Sequence, residues 1–238
     1  MPLSPAVDKQ DAHILKRLTK VGMLQNVELK QRQVDLHSAL EIVLQASLDH
    51  DLIVTGATPR KRTRFLTFGT LQDALIHKAQ ADVLVIASER EQFNAATVQR
   101  ILVPTNGLEY SMAAGDIAAY LALGYDAELM ILHVVSPAMD AIFWRERDHQ
   151  QLRLHGEGVV AELAFRVKRL GVRVSTRVVV GERAGTEILR EIKHGTYDLV
   201  VLGAMDRGMD GRPYLGRTIQ RVITQGQTPT ALLVTHQK

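Results

Sequence analysis

The chain repeats itself. Asp51–Thr58 reads DLIVTGAT and Asp198–Met205 reads DLVVLGAM, 147 residues further on. The same offset carries Gly56 onto Gly203, Gly69 onto Gly216 and Gln80 onto Gln227, and lays the apolar pair Leu75–Ile76 on Val222–Ile223. Self-similarity at a fixed offset means that one supersecondary unit occurs twice, which constrains both stretches to one fold.

The second stretch shows what that fold is. Its pattern predicts strands at Arg100–Pro104, Ala127–Val135, Val172–Val180, Asp198–Leu202 and Thr230–Val234. Between them it predicts helices at Ser111–Leu123, Leu152–Leu170, Thr186–His194 and Gly216–Gln225. The helices carry one apolar face each, as in Val159, Val160, Leu163, Val167 and Leu170. The strands are short unbroken runs of Val, Ile and Leu, which suits a parallel sheet covered by helices on both faces. Strict alternation of this kind means a doubly wound α/β domain with a five-stranded parallel sheet.

The first stretch starts too late for the same unit. At an offset of 147, its first element would fall about 47 residues before Met1. What remains predicts helices at Ala12–Val21, Ala39–Leu48 and Thr70–Lys78, and strands at Val27–Gln33, Leu52–Thr55 and Val83–Ala87. Residues 1–98 therefore read as a repeat lacking its first strand, first helix and second strand, and residues 99–238 as a complete one. The expectation is a C-terminal piece of a longer polypeptide, or a truncated product whose first half borrows or forgoes those strands. The last strands, Val83–Ala87 and Thr230–Val234, are the sheet edges expected to pair with each other, which would hide two aggregation-prone edges inside one chain.

Charge and composition remove whole classes of function. Lys and Arg exceed Asp and Glu by only three, 29 against 26, so a nucleic-acid partner is not implied. With no Cys there is no thiolate nucleophile, disulfide or Cys-ligated metal. No apolar run approaches the ~20 residues of a membrane helix, and Met1–Gln10 is no secretory signal, so a cytoplasmic chain is expected.

Two motifs then matter. Ile101-Leu102-Val103-Pro104-Thr105-Asn106-Gly107 closes the first strand, and Gly203-x2-Asp206-x9-Gly216-Arg217-Thr218 follows the fourth. Together they resemble the universal stress protein family, whose patterns are [IV]LVPxDG and G-x2-G-x9-G-[ST]. The resemblance covers the whole second repeat and, through Gly56-x2-Pro59-x9-Gly69-Thr70, the back of the first. It implies the fold shared with adenine-nucleotide alpha hydrolases. It also implies ATP or another adenine nucleotide as ligand, with Pro104, Thr105, Asn106 and Val135 towards the base and Gly203, Arg207, Gly216, Arg217 and Thr218 at the phosphates. Gly56, Gly69 and Thr70 would form a weaker loop in the first repeat. The physical basis is backbone N–H groups and a helix start offered to phosphate oxygens.

The chain departs from these patterns. Asn106 replaces the strand-end acid, Asp206 replaces the second glycine and Arg217 stands at the hydroxyl position. An Asp206 carboxylate facing phosphate would repel it unless Mg²⁺ lay between them. Arg207, Arg212 and Arg217 bring compensating cations. The first loop is also basic, Arg60-Lys61-Arg62-Thr63-Arg64, but lacks the strand that would wall the adenine. Glycines between a strand and a helix also serve as ordinary turn chemistry, so a repeat that binds no nucleotide is an equal alternative.

No catalytic constellation stands out. Ser111, Ser136 and Ser175 lack a GxSxG elbow, His149 and His155 match no ligand spacing, and His133 lies on an apolar strand as a packed histidine. Phe143 and Trp144, between the second strand and second helix, read as a cap on the core or a contact loop. The resemblance leaves two functions open: a nucleotide-binding sensor without turnover, and a non-binding regulatory or scaffolding module, such as the cytoplasmic C-terminal part of a membrane transporter. The edge pairing makes a homodimer unnecessary, though a further one is compatible.

Overall fold

A computed structural model describes residues 27, 28, 30, 34, 35, 38–57, 60–62, 65–88, 97–136, 149–208 and 212–236. The chain forms two compact units, Met1–Ala39 and Leu40–Lys238. In the first, Lys30 pairs with Glu28 on the surface and the Ser38 N–H donates to the Asp35 carbonyl at 3.1 Å. Val27, Glu28 and Lys30 are not in a strand, and the expected helix at 12–21 lies outside the described residues, as do Phe143 and Trp144.

The second unit is built on one seven-stranded sheet. Its elements are α1 (Ala39–Ala46), β1 (Leu52–Ala57), β2 (Arg60–Arg62), β3 (Phe65–Thr67), α2 (Thr70–Lys78), β4 (Asp82–Ala87), β5 (Arg100–Thr105) and α3 (Glu109–Tyr125). There follow β6 (Glu128–Val135), α4 (His149–Lys168), β7 (Arg173–Val180), α5 (Ala184–Gly195), β8 (Leu199–Met205), α6 (Arg217–Gln225) and β9 (Thr230–Thr235). The sheet order is β1-β4-β9-β8-β5-β6-β7. Five parallel strands, β9 to β7, are the predicted doubly wound core.

Two further strands extend it. β4 lies antiparallel to β9, with Val83 opposite Val234, Val85 opposite Leu232 and Ala87 opposite Thr230. This is the expected edge-to-edge pairing. β1 lies parallel to β4, and its register repeats that of β8 on β9: Ile53–Val83 matches Val200–Thr230, and Gly56–Ile86 matches Gly203–Leu233, each 147 residues on. α2 and α6 are likewise 147 residues apart from first residue to last. The basic segment read as a loop instead pairs, Arg60–Arg62 running antiparallel to Phe65–Thr67. Backbone pairing across a short turn is satisfied there whatever side chains the strands carry.

Two apolar layers flank the sheet. α3 and α4 cover one face through Met112, Ala118, Leu163 and Val167. The other face gathers Leu202, Ile219, Val222 and Leu232 from the second half and Phe68, Ile76, Val83 and Val85 from the first, so this core belongs to both. α3 approaches closely because its buried side is small: Ala114, Gly115, Ala118, Ala119 and Ala122. A Cβ on Gly203 would meet the Tyr110 carbonyl oxygen at 2.1 Å, whereas at Gly56, the same place in β1, nothing lies within 4 Å. Val54 on that face is 62% exposed, while its equivalent Val201 is fully buried under α3. No described helix is long and apolar enough to cross a membrane.

Candidate functional site

Strands β5 and β8 part company above Leu102. Their ladder consists of Ile101–Leu199 and Leu102–Val200, after which Pro104 has no N–H to offer, although β5 continues alongside β6 to Thr105. The carboxyl ends of two adjacent parallel strands thus open a fork, the place where doubly wound sheets take up ligands. The predicted residues of the second half lie on or just after β5, β6 and β8 and at the start of α6, whereas Gly56, Gly69 and Thr70 belong to β1 and the start of α2.

On the β5 side the turn is closed on itself. Asn106 Oδ1 accepts from the Leu108 N–H at 3.1 Å, and its Nδ2 donates to the Tyr110 hydroxyl at 2.7 Å. The Ser111 hydroxyl lies 2.8 Å from Asn106 Oδ1 and 3.0 Å from the buried Thr105 hydroxyl, which also accepts the Gly107 N–H. Gly107 adopts φ +79° and a Cβ there would crowd Val159 of α4 at 3.2 Å, so glycine is required. Asn106 remains exposed, but both ends of its amide are occupied by the turn. Tyr110 belongs to no motif and Ser111 figures in the sequence only as a helix start without a GxSxG elbow; the Asn-Gly pair is the one local sign of the turn they close.

Beneath it, His133 Nδ1 donates to the Thr105 carbonyl at 2.9 Å, which fixes the ring at the end of the sheet as a buried structural histidine. Val135 is buried at the end of β6 beside Gly156, and its carbonyl accepts the Gly181 N–H at 3.0 Å. His155 is exposed, and no group of three or more His, Asp or Glu residues among those described is placed to hold a metal ion.

The β8 side carries the charge. Gly203 lies against the α3 backbone at Tyr110, where its missing side chain permits close helix–sheet packing. Gly216, at φ +90°, precedes α6 and accepts the Gln220 N–H at 3.1 Å, and no side chain among the described residues caps the first turn, whose N–H groups have no acceptor within the helix. Arg217 is exposed, Thr218 is half-buried against Gly185 of α5, and Arg221 secures this corner through Thr186 at 2.7 Å. Neither Arg207 nor Arg217 makes an ion pair among the described residues. In the first half Gly69 occupies the same position before α2, at φ +123°, with Gln72 nearby donating to the Gly56 carbonyl at 3.0 Å. Thr70 is exposed at the start of that helix.

Asp206 is held from two sides. Its Oδ1 accepts the N–H groups of Gly208 and Tyr214, both at 2.9 Å, and its Oδ2 accepts from His77 Nδ1 of α2 at 2.7 Å. Burial pushes this carboxyl upward, but the hydrogen bonds from His77, Gly208 and Tyr214 outweigh it and hold the group below the ordinary carboxylate range. The Arg207 N–H closes the same loop on the Tyr214 carbonyl at 3.2 Å. The charge expected to repel phosphate is spent on the loop and on the first half of the chain.

Known proteins place this architecture. The model of the universal stress protein family matches residues 97–233. The chain belongs to the universal stress protein family. A universal stress protein of Methanocaldococcus jannaschii is 27% identical over 139 residues, 57% of this chain and 81% of that protein. Among solved structures, a universal stress protein from Archaeoglobus fulgidus aligns with a TM-score of 0.58 at 17% identity, over 98% of this chain and 83% of its own. A putative universal stress protein from Pseudomonas aeruginosa gives 0.59 at 15%, over 94% and 78%. Both alignments cover nearly the whole chain, whereas the family model matches the second half alone.

Proposed function

We propose that this universal stress protein is a regulatory module that takes up ATP or a related adenine nucleotide at the β5–β8 fork of its second half and does not turn it over. The observation that carries the reading is the start of α6 behind Gly216, which has no side-chain cap, in a loop whose Arg207 and Arg217 make no ion pair among the described residues. Oriented N–H donors together with planar cations suit phosphate oxygens. The first half, whose β1 is the edge of the sheet with no further strand beside it among the described residues to open a fork, serves as a structural partner and not as a second site. A cytoplasmic location goes with this reading.

Calorimetric titration with ATP, with and without Mg²⁺ and with AMP as the control for adenine recognition, tests it. Saturable micromolar binding is expected, weakened about tenfold by Arg217→Gln through loss of a charge-assisted contact. No heat up to millimolar ATP would remove the reading. One observation favours the alternative of a non-binding regulatory or scaffolding module, such as a transporter's C-terminal part: the Asn106 amide, at the strand-end acid position, is already engaged by Tyr110 and Leu108.

A further inference from the structure

The residue at which the glycine loop departs most from its family pattern is the one that the other half of the molecule grips. Asp206 stands at the second glycine position, and His77 of α2 donates to it across 129 residues of sequence. Asp206 is the shielded partner, with a side-chain exposure of 10% against 35% for His77, which stands at the surface. His77 Cε1 also lies 3.5 Å from the site a Cβ on Gly208 would occupy, so the ring rests against the loop backbone. One turn earlier, Asp73 faces the same way, as residues four apart on a helix do. Its carboxyl accepts the Phe68 N–H at 2.9 Å and feels the guanidinium of Arg212, which comes from the far end of the same loop. One face of α2 therefore holds the loop at Asp206 and lies within electrostatic reach of it at Arg212.

We infer that His77 is a positioning residue for the nucleotide loop: through it the first half shapes the loop and turns the Asp206 charge away from the phosphate path. The inference rests on the nucleotide reading for its consequence, but not for its geometry. With His77 removed, Asp206 keeps its Gly208 and Tyr214 donors alone, the loop loosens, and Oδ2 is left free to turn its charge toward the phosphates. A loop carrying glycine at 206 has no charge to turn away and no need of the imidazole.

A double-mutant cycle in the full chain tests this, with ATP titration and residue-resolved amide exchange as the two readouts. His77→Ala is expected to weaken ATP binding about tenfold, in the usual range of coupling between sites. It should also speed exchange at the Gly208 and Tyr214 amides. Both effects should be reversed by His77→Gln, which restores a donor. In an Asp206→Gly background, His77→Ala should leave affinity within about twofold. Equal losses in both backgrounds, or unchanged exchange at Gly208 and Tyr214 in His77→Ala, would overturn the inference. If the unaltered chain takes up no ATP, the nucleotide reading fails by itself, and the exchange rates alone decide whether His77 holds the loop.

Discussion

At Gly203 the backbone of α3 leaves no room for a methyl group, since the Tyr110 carbonyl oxygen would sit 2.1 Å from it. At Gly56, the same position in β1, the space is open and φ is not positive. Two glycines that the sequence treats as equivalents thus differ in what they can tolerate. Gly203→Ala should destabilise the chain by about 2 kcal/mol or more, the cost of forcing atoms into a packed layer. Gly56→Ala should be neutral or stabilising by about 0.5 kcal/mol, because a strand glycine carries excess unfolded-state entropy. Urea midpoints of the two variants check the pair; equal losses would mean that α3 does not press on β8 as closely as the geometry requires.

The loop between β8 and α6 depends on one carboxylate. Because the Asp206 carboxyl sits below its ordinary value of about 3.9, its contribution to stability is fully present above that pH and is lost as pH falls through the lower folded value. Asp73 and Asp116 act in the opposite sense: burial raises both beyond what Phe68 and Arg212, or Arg166, draw down, so protonating them relieves the fold. Asp206→Asn should therefore flatten the acid limb of stability below about pH 4, measured as urea midpoints against pH. An unchanged limb would show that the carboxylate does not hold the loop. At this scale the sequence is most readable and also reaches its limit. The runs at Arg100–Thr105 and Leu199–Met205 announce themselves because a parallel strand buried on both faces must be apolar throughout. Gly69 and Gly216 announce helix starts because a positive φ favours glycine. The pairing of His77 with Asp206 leaves no trace in pattern or period, since it depends on where α2 comes to rest on a sheet assembled from distant strands. The β2–β3 ladder is equally hidden, because Arg-Lys-Arg has none of the β-branched or aromatic character by which strands are recognised.

Seen whole, residues 40–238 hold one sheet and a core to which both halves contribute. Ile76 and Val85 of the first half pack in the same cluster as Leu102 and Leu232 of the second, so neither half can lose its layer without opening the other's. Urea unfolding should accordingly be a single transition, with near- and far-ultraviolet circular dichroism superimposing. Two separated transitions would mean that the halves fold as independent domains. The β4–β9 seam has one further property. Its middle pair is Val85 with Leu232, residues 147 apart, and the pairs on either side exchange equivalents: Val83 meets Val234, and Ala87 meets Thr230. This is the arrangement that two identical subunits would adopt about a twofold axis, where every change in one copy is imposed on the other. Written into a single chain, that obligation disappears. A change on one side of the seam is inherited alone, so one flank can give up a glycine loop for a basic ladder while the other keeps its own, and the join between them survives.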